Sequence, residues 1–357
     1  VSADRILQRV WYERAPLALF LLLLPLSIVF GVLCAARRFL YRLRVLHTVR
    51  VARPVLVVGN VSVGGTGKTP LVIWLAEKLA SRGCRVGIVT RGYGGRAAQW
   101  PQDVTQDASP GDVGDEAVLL ALRTQAAAGT IVVAGPDRVA AAKRAIERGA
   151  EIILSDDGLQ HYRLGRDAEI VVIDAARRFG NGWLLPAGPL REPRSRVRRA
   201  NLIVESARGG GAASDAASDE LSASNLVSVQ DLRDAINIRT GERRALAAFA
   251  GMRMHAVAAI GHPEAFFAML RAHGIAPQTH PLPDHAPMSP GTLDFGDDAP
   301  VLMTEKDAVK CRAFANERHW AVPLGVTFGD ADERRLNELL DTLIRISPAT
   351  RDSGGGS

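Results

Sequence analysis

Gly59-Asn-Val-Ser-Val-Gly-Gly-Thr-Gly-Lys-Thr-Pro70 follows directly on the apolar run Val55-Leu-Val-Val58. A strand, a glycine-rich turn and a helix opening at Lys68-Thr69 would gather backbone N–H groups and a positive helix end around a phosphate. Ser62, Val63, Gly64, Gly65, Thr66, Gly67, Lys68 and Thr69 then line the nucleotide, with Lys68 reaching the β- and γ-phosphates and Thr69 ligating Mg²⁺. The strict phosphate-loop pattern has glycine where Ser62 stands, but Gly64, Gly65 and Gly67 still supply permissive backbone beside the lysine. The motif specifies a nucleoside triphosphate and leaves G proteins, partitioning ATPases and kinases open.

Upstream, residues 15 to 36 read APLALFLLLLPLSIVFGVLCAA without a charge. As a helix this run reaches roughly 33 Å, enough to cross a bilayer. Arginines 37, 38, 42, 44, 50 and 53 follow it, whereas Arg5, Arg9 and Arg14 before it are offset by Asp4 and Glu13. That asymmetry puts the remainder of the chain on the cytoplasmic face. A cleaved signal peptide has a shorter apolar core with basic residues ahead of it. A full span and a shallower insertion broken at Pro25 both satisfy the pattern.

The net charge of +6 calls for an anionic partner. Its concentration beside the apolar run, without aromatic interleaving or a recognition motif, argues against nucleic acid. Cys34, Cys84 and Cys311 have neither paired nor metal-site spacing, which fits a reducing compartment.

From Pro54 onward, short apolar runs alternate with amphipathic stretches, as in a parallel sheet flanked by helices. Strands are predicted at 55–60, 86–90, 130–134, 151–155, 169–173 and 201–205, and helices at 68–82, 114–128 and 137–148. Arg208 to Asn225 is small and polar, a loop or linker. Beyond it, strands at 256–260 and 301–303 and helices at 264–273 and 332–346 make a smaller α/β unit. The expected division is a membrane helix with basic flank (1–53), a nucleotide-binding domain (54–225), a domain closing over the site (226–346) and a linker-like tail (347–357).

A second acidic site is needed for Mg²⁺. Ile152-Ile-Leu-Ser-Asp156-Asp157 and Ile170-Val-Val-Ile-Asp174 both end a strand in carboxylate, but only the first continues into a polar cluster, Asp156-Asp-Gly-Leu-Gln-His161. Such a cluster is costly to bury without a ligand. Asp115 of Gly114-Asp-Glu116 starts a helix as either an N-cap or a positioned base. Asp284-His285 is either a turn or, brought beside Asp115, its orienting partner. Arg191 and Glu192 end the long loop Gly180 to Glu192 as a surface ion pair or as site residues.

Gly59-Asn60 with Gly64-Gly-Thr-Gly-Lys-Thr-Pro70, Arg91-Gly-Tyr-Gly-Gly95, Gly114-Asp-Glu116, Asp156-Asp-Gly-Leu-Gln-His161, Leu185-Pro-Ala-Gly-Pro-Leu-Arg-Glu192 and Thr304-Glu-Lys-Asp307, in this order, resemble the tetraacyldisaccharide 4′-kinase family. The resemblance runs from the apolar segment to about residue 345. It implies transfer of the ATP γ-phosphate to the 4′-hydroxyl of a lipid A disaccharide 1-phosphate, giving lipid IVA, at the inner membrane among its lipids. It also implies a P-loop NTPase-like α/β fold with Mg²⁺, Asp115 as base, His285 as its dyad partner, and Thr69, Asp156, Asp157 and Glu192 near the metal and substrate. Tyr93, Glu116, Arg138, Gln160, His161 and Arg191 occupy further active-site positions. Gly261-His-Pro263 departs from the family's Gly-Asn-Pro. The alternative reading is a membrane-tethered P-loop ATPase or switch acting on a protein partner.

Overall fold

The structure, a computed structural model, describes residues 3–13, 17–125, 129–208 and 225–347. Most of the expected linker and nearly all of the expected tail fall outside these.

Among the described residues, nine strands form one sheet in the order Leu324–Phe328, Leu226–Leu232, Leu202–Arg208, Ala168–Asp174, Val55–Gly59, Ile152–Asp156, Val86–Thr90, Ile131–Ala134, Gln102–Asp103. Its central strands are parallel. Val55–Gly59 and Ile152–Asp156 are buried at every residue because helices cover both faces, which is why they read as unbroken apolar runs. Alternation along the first of these splits the core. Leu56 and Val58 pack with Leu71 and Leu75 of helix Lys68–Ala80 and Leu120 of helix Asp115–Thr124. Val55 and Val57 pack with Val139, Ala142 and Ala145 of helix Arg138–Glu147. The phosphate loop therefore leaves the carboxyl end of a central strand, where open parallel sheets bind their ligands.

A second sheet of six strands has the order Arg243–Arg244, Ala235–Asn237, His319–Val322, Val301–Thr304, His255–Ala258, Gln278–Pro281. Phe249, Phe267, Leu270 and Trp320 fill its core. Hydrogen bonding groups the chain differently from a division at 225/226. Leu226–Leu232 pairs in parallel with Leu202–Arg208, and Leu324–Phe328 pairs antiparallel with Leu226–Leu232. Helix Asp330–Ile346 buries Leu336, Leu340 and Leu343 in the core of the larger sheet. The smaller sheet is thus inserted between two strands of the larger one.

The apolar run forms helix Leu17–Arg42, long and apolar enough to cross a membrane. Leu17, Leu22, Leu26, Val29, Val32 and Leu33 are exposed along it. Its other face is not free. Ser27 Oγ donates to Leu184 O at 2.7 Å, and Arg38 Nη1 lies 3.3 Å from Glu192 Oε2. A preceding helix, Ala3–Tyr12, is fastened to the same loop by Trp11 Nε1 donating to Pro186 O at 2.9 Å.

Candidate active site

Helix Lys68–Ala80 begins after Gly67 with neither a capping side chain nor an acidic residue in its first turn. Helix Arg138–Glu147, by contrast, is capped by Asp137, which accepts from Val139 N and Ala140 N. The uncapped N–H groups at Lys68 are therefore available to an anion. Gly67 is required twice over: its φ is 84°, and a Cβ there would stand 1.7 Å from Gln230 Nε2. The loop is braced by Val63 N donating to Pro189 O at 2.8 Å and Arg191 N donating to Val61 O at 2.7 Å.

Three expected residues meet beside it. Lys68 Nζ is 3.5 Å from Asp157 Oδ1, and Arg191 Nη1 is 3.0 Å from Asp157 Oδ2. Burial works to raise the Asp157 carboxyl, but Lys68 and Arg191 overcome it and hold it at about 2. The adjacent Asp156 is pushed the other way, up to about 7, by burial and then by the charges of Glu116 and Asp157. Its Oδ1 has no partner, nor do the buried hydroxyls of Thr66 and Ser155. Unpaired buried oxygens on a strand end beside a phosphate loop are what a hard cation satisfies. Among the described residues no three His, Cys, Asp or Glu side chains cluster closely enough to hold a metal by themselves.

Glu192 is buried, its two oxygens 2.6 and 2.7 Å from the Tyr162 hydroxyl. The Arg38 contact ties it in addition to helix Leu17–Arg42, so it is neither a free carboxylate nor a surface ion pair. Arg138 is buried and donates to Gly135 O at 2.8 Å and to Asp156 O at 3.1 Å; burial lowers its guanidinium to about 10 against the pull of Asp156 and Asp157. Burial, with Arg138 nearby, drives His161 down to about 4, a neutral imidazole with its Nδ1 unpartnered. Gln160 Nε2 donates to Asn60 O at 2.9 Å.

Gly114 and not Asp115 is the N-cap of helix Asp115–Thr124. A Cβ on Gly114 would lie 2.3 Å from Tyr93 O, so the Arg91-Gly-Tyr-Gly-Gly95 turn and the helix start are fitted to each other. Asp115 is 7% exposed, and its Oδ2 makes no well-aligned hydrogen bond although His285 Nδ1 is only 3.3 Å away. The Tyr93 ring is 5.4 Å from the imidazole.

Sequence reasoning missed Arg38, Tyr162, Lys306 and Lys310. Tyr162 directly follows the polar cluster and Lys306 lies inside Thr304-Glu-Lys-Asp307, which are the local signals that point to them. Arg38 looked like flank charge and Lys310 like an ordinary helix lysine.

The tetraacyldisaccharide-1-P 4′-kinase (LpxK) family model matches residues 19–345. The chain is 48% identical over 320 residues to a tetraacyldisaccharide 4′-kinase of Nitrosococcus oceani, covering 89% of each chain. It is 44% identical over 345 residues to one of Alkalilimnicola ehrlichii, covering 94% of this chain and 97% of that one. Its fold is similar to the crystal structure of "apo" form LpxK from Aquifex aeolicus in complex with ATP, with a TM-score of 0.75 and 28% identity over 91% of this chain and 99% of the other.

Proposed function

The chain belongs to the tetraacyldisaccharide 4′-kinase family, and from that premise we infer how its site moves the γ-phosphate of ATP to the 4′-hydroxyl of a tetraacyldisaccharide 1-phosphate to form lipid IVA. It is an ATP-dependent kinase of lipid A biosynthesis. The observation that carries the mechanism is an uncapped, lysine-bearing helix start and, at the start of the helix packed beside it, the buried carboxylate Asp115, which is not the cap and whose Oδ2 makes no well-aligned bond.

In this reading the uncapped N–H groups and Lys68 hold the β- and γ-phosphates, and Arg191 restrains Asp157 beside them. Mg²⁺, when bound, neutralises the phosphate oxygens; Thr69, Asp156 and Asp157 would hold it. Glu192, assigned to the metal from sequence, better serves to tie the loop to Arg38 and Tyr162, since its oxygens are already engaged. Asp115 accepts the proton of the sugar hydroxyl as its oxygen bonds to the γ-phosphorus. The bond from that phosphorus to the bridging β-phosphate oxygen breaks, and ADP departs with the electron pair. Positioning and charge neutralisation carry most of such a reaction.

The acceptor is a lipid, so the site must stand at a bilayer. Support for this comes from helix Leu17–Arg42, whose apolar face is exposed while its other face contacts the loop bearing Arg191 and Glu192. The proposed location is the inner membrane with the catalytic sheets on the cytoplasmic side, the arginines after residue 36 lying against acidic lipid. Incubation with ATP, Mg²⁺ and disaccharide 1-phosphate in micelles should yield a new 4′-phosphate. ATP turnover that ignores the disaccharide would overturn the reading.

A further inference from the structure

Helix Glu305–Cys311 carries two lysines that the mechanism above does not use. Thr304 caps this helix, accepting from Asp307 N. Asp307 is fully buried and anchors the helix start to the smaller sheet, accepting from Ala259 N at 2.9 Å and from Thr304 Oγ1 at 2.7 Å. Arg123 of helix Asp115–Thr124 donates to both Glu305 oxygens at 2.7 Å. The helix is therefore pinned to both halves of the molecule, and its lysines have little room to wander.

Four residues apart, Lys306 and Lys310 lie on one helix face, and both reach the dyad. Lys306 Nζ is 3.3 Å from Glu116 Oε1 and 3.4 Å from His285 Nε2. Lys310 Nζ is 3.9 Å from Asp115 Oδ2, 3.1 Å from Asp307 Oδ1 and 3.3 Å from Ala286 O. Their side chains are 17% and 13% exposed, so solvent screens these contacts little. Burial works against the Lys306 charge, yet Glu116, Asp115 and Asp284 raise its proton affinity above the usual lysine value.

An ammonium donates and cannot accept. The Lys306 contact therefore makes Nε2 of His285 the acceptor and leaves the ring proton on Nδ1, the nitrogen facing Asp115. Asp284 Oδ1 favours the opposite tautomer, but it is farther from Nε2, at 3.8 Å. The Tyr93 ring lies tilted against the imidazole, their centroids 5.4 Å apart.

We propose that Lys306 and Lys310 are positioning residues for the phosphoryl-acceptor base: Lys306 selects the Nδ1–H tautomer of His285, which donates to Asp115, and Lys310 sets a cation against the Asp115 carboxylate. Neither lysine needs to touch the substrate. The proposal rests on Asp115 being the base.

The test uses the full chain in micelles. In the wild type, ¹⁵N resonances of the His285 ring should report the Nδ1–H form, and Lys306→Met should move them toward Nε2–H. Lys310→Met should lower kcat on the order of tenfold with the KM for ATP unchanged. It should also move the acidic limb of the kcat/KM profile to higher pH by about 1, because a carboxylate without its cation is harder to ionise. Lys310→Arg should restore the limb. A wild-type ring already in the Nε2–H form, or an unmoved limb in Lys310→Met, overturns the proposal even if activity falls. If Asp115→Asn kept full activity, the base assignment itself would fail; an inactive Asp115→Asn with an unmoved Lys310→Met limb would remove only the role of the lysines.

Discussion

His285 Nδ1 stands 3.3 Å from Asp115 Oδ2, joining a loop after the smaller sheet's edge strand to the first residue of a helix on the larger sheet. The contact brings together two residues 170 positions apart that the proposed mechanism uses as one unit. Asp115→Asn and His285→Ala should each lower kcat on the order of a hundredfold. The double variant should be little worse than the poorer single one, because a base and its orienting partner fail together. Multiplicative losses would mean that the two act independently.

Lys68→Ala should abolish phosphoryl transfer and leave the thermal midpoint close to that of the wild type. The lysine's ion-pair partner Asp157 keeps its contact with Arg191, so the loss strands no buried charge. Near-normal turnover would sink the phosphate-loop assignment.

The apolar helix was read from sequence as separate from the α/β body, and the structure shows it packed against the loop that carries Arg191 and Glu192. A Cβ at Gly31 would lie 3.0 Å from Leu184 Cδ1, so Gly31→Leu should pry the helix from that loop. The expected outcome is lower kcat on lipid in micelles with unchanged partition into membranes. Leu22→Ser, on the exposed face, should weaken partition and spare kcat in micelles. Equal effects of both substitutions on both assays would refute a two-faced helix. Deleting residues 1 to 36 removes anchor and packing together and should impair activity even in detergent.

Burial lowers the proton affinity of His161, to about 4, and that of His262, His280 and His319 in the same direction from the ordinary 6.5. Each then binds protons more readily when unfolded, so the stability it contributes is present above pH 6.5 and is lost as pH falls below it. Asp156, raised from 3.8 to about 7, opposes this: its contribution is present at low pH and lost as pH rises through that window. The thermal midpoint of the nucleotide- and metal-free protein should therefore drop between pH 7 and about 4. His161→Gln should flatten that drop and Asp156→Asn should steepen it. The reverse order of slopes would contradict the assigned burial.

Much of the larger sheet and its helices was legible in the chain, because doubly covered strands must be continuous apolar runs and the helices between them must be amphipathic. Val55–Gly59, Val86–Thr90 and Lys68–Ala80 appear within two residues of expectation. Leu226–Leu232 was hidden for a physical reason. Its buried face carries the polar Ser228 and Gln230 while Val227 and Val229 are exposed, and it follows a linker-like stretch, so nothing local says that it completes a sheet begun far upstream.

The phosphate loop was decided locally: glycines, an uncapped helix start and Lys68 lie within a few residues, and short-range geometry dictates what they can bind. What only the tertiary structure decided was which distant charges face one another. Sequence allowed Asp115 to be a cap or a base, and the cap is Gly114. Glu192, expected near the metal and substrate, lies against Arg38 and Tyr162, and Lys306 and Lys310 come beside Glu116 and Asp115 because helix Glu305–Cys311 docks on helix Asp115–Thr124. Contacts of this kind arise from the burial of apolar faces elsewhere, which brings polar groups together at distances that sequence separation does not encode.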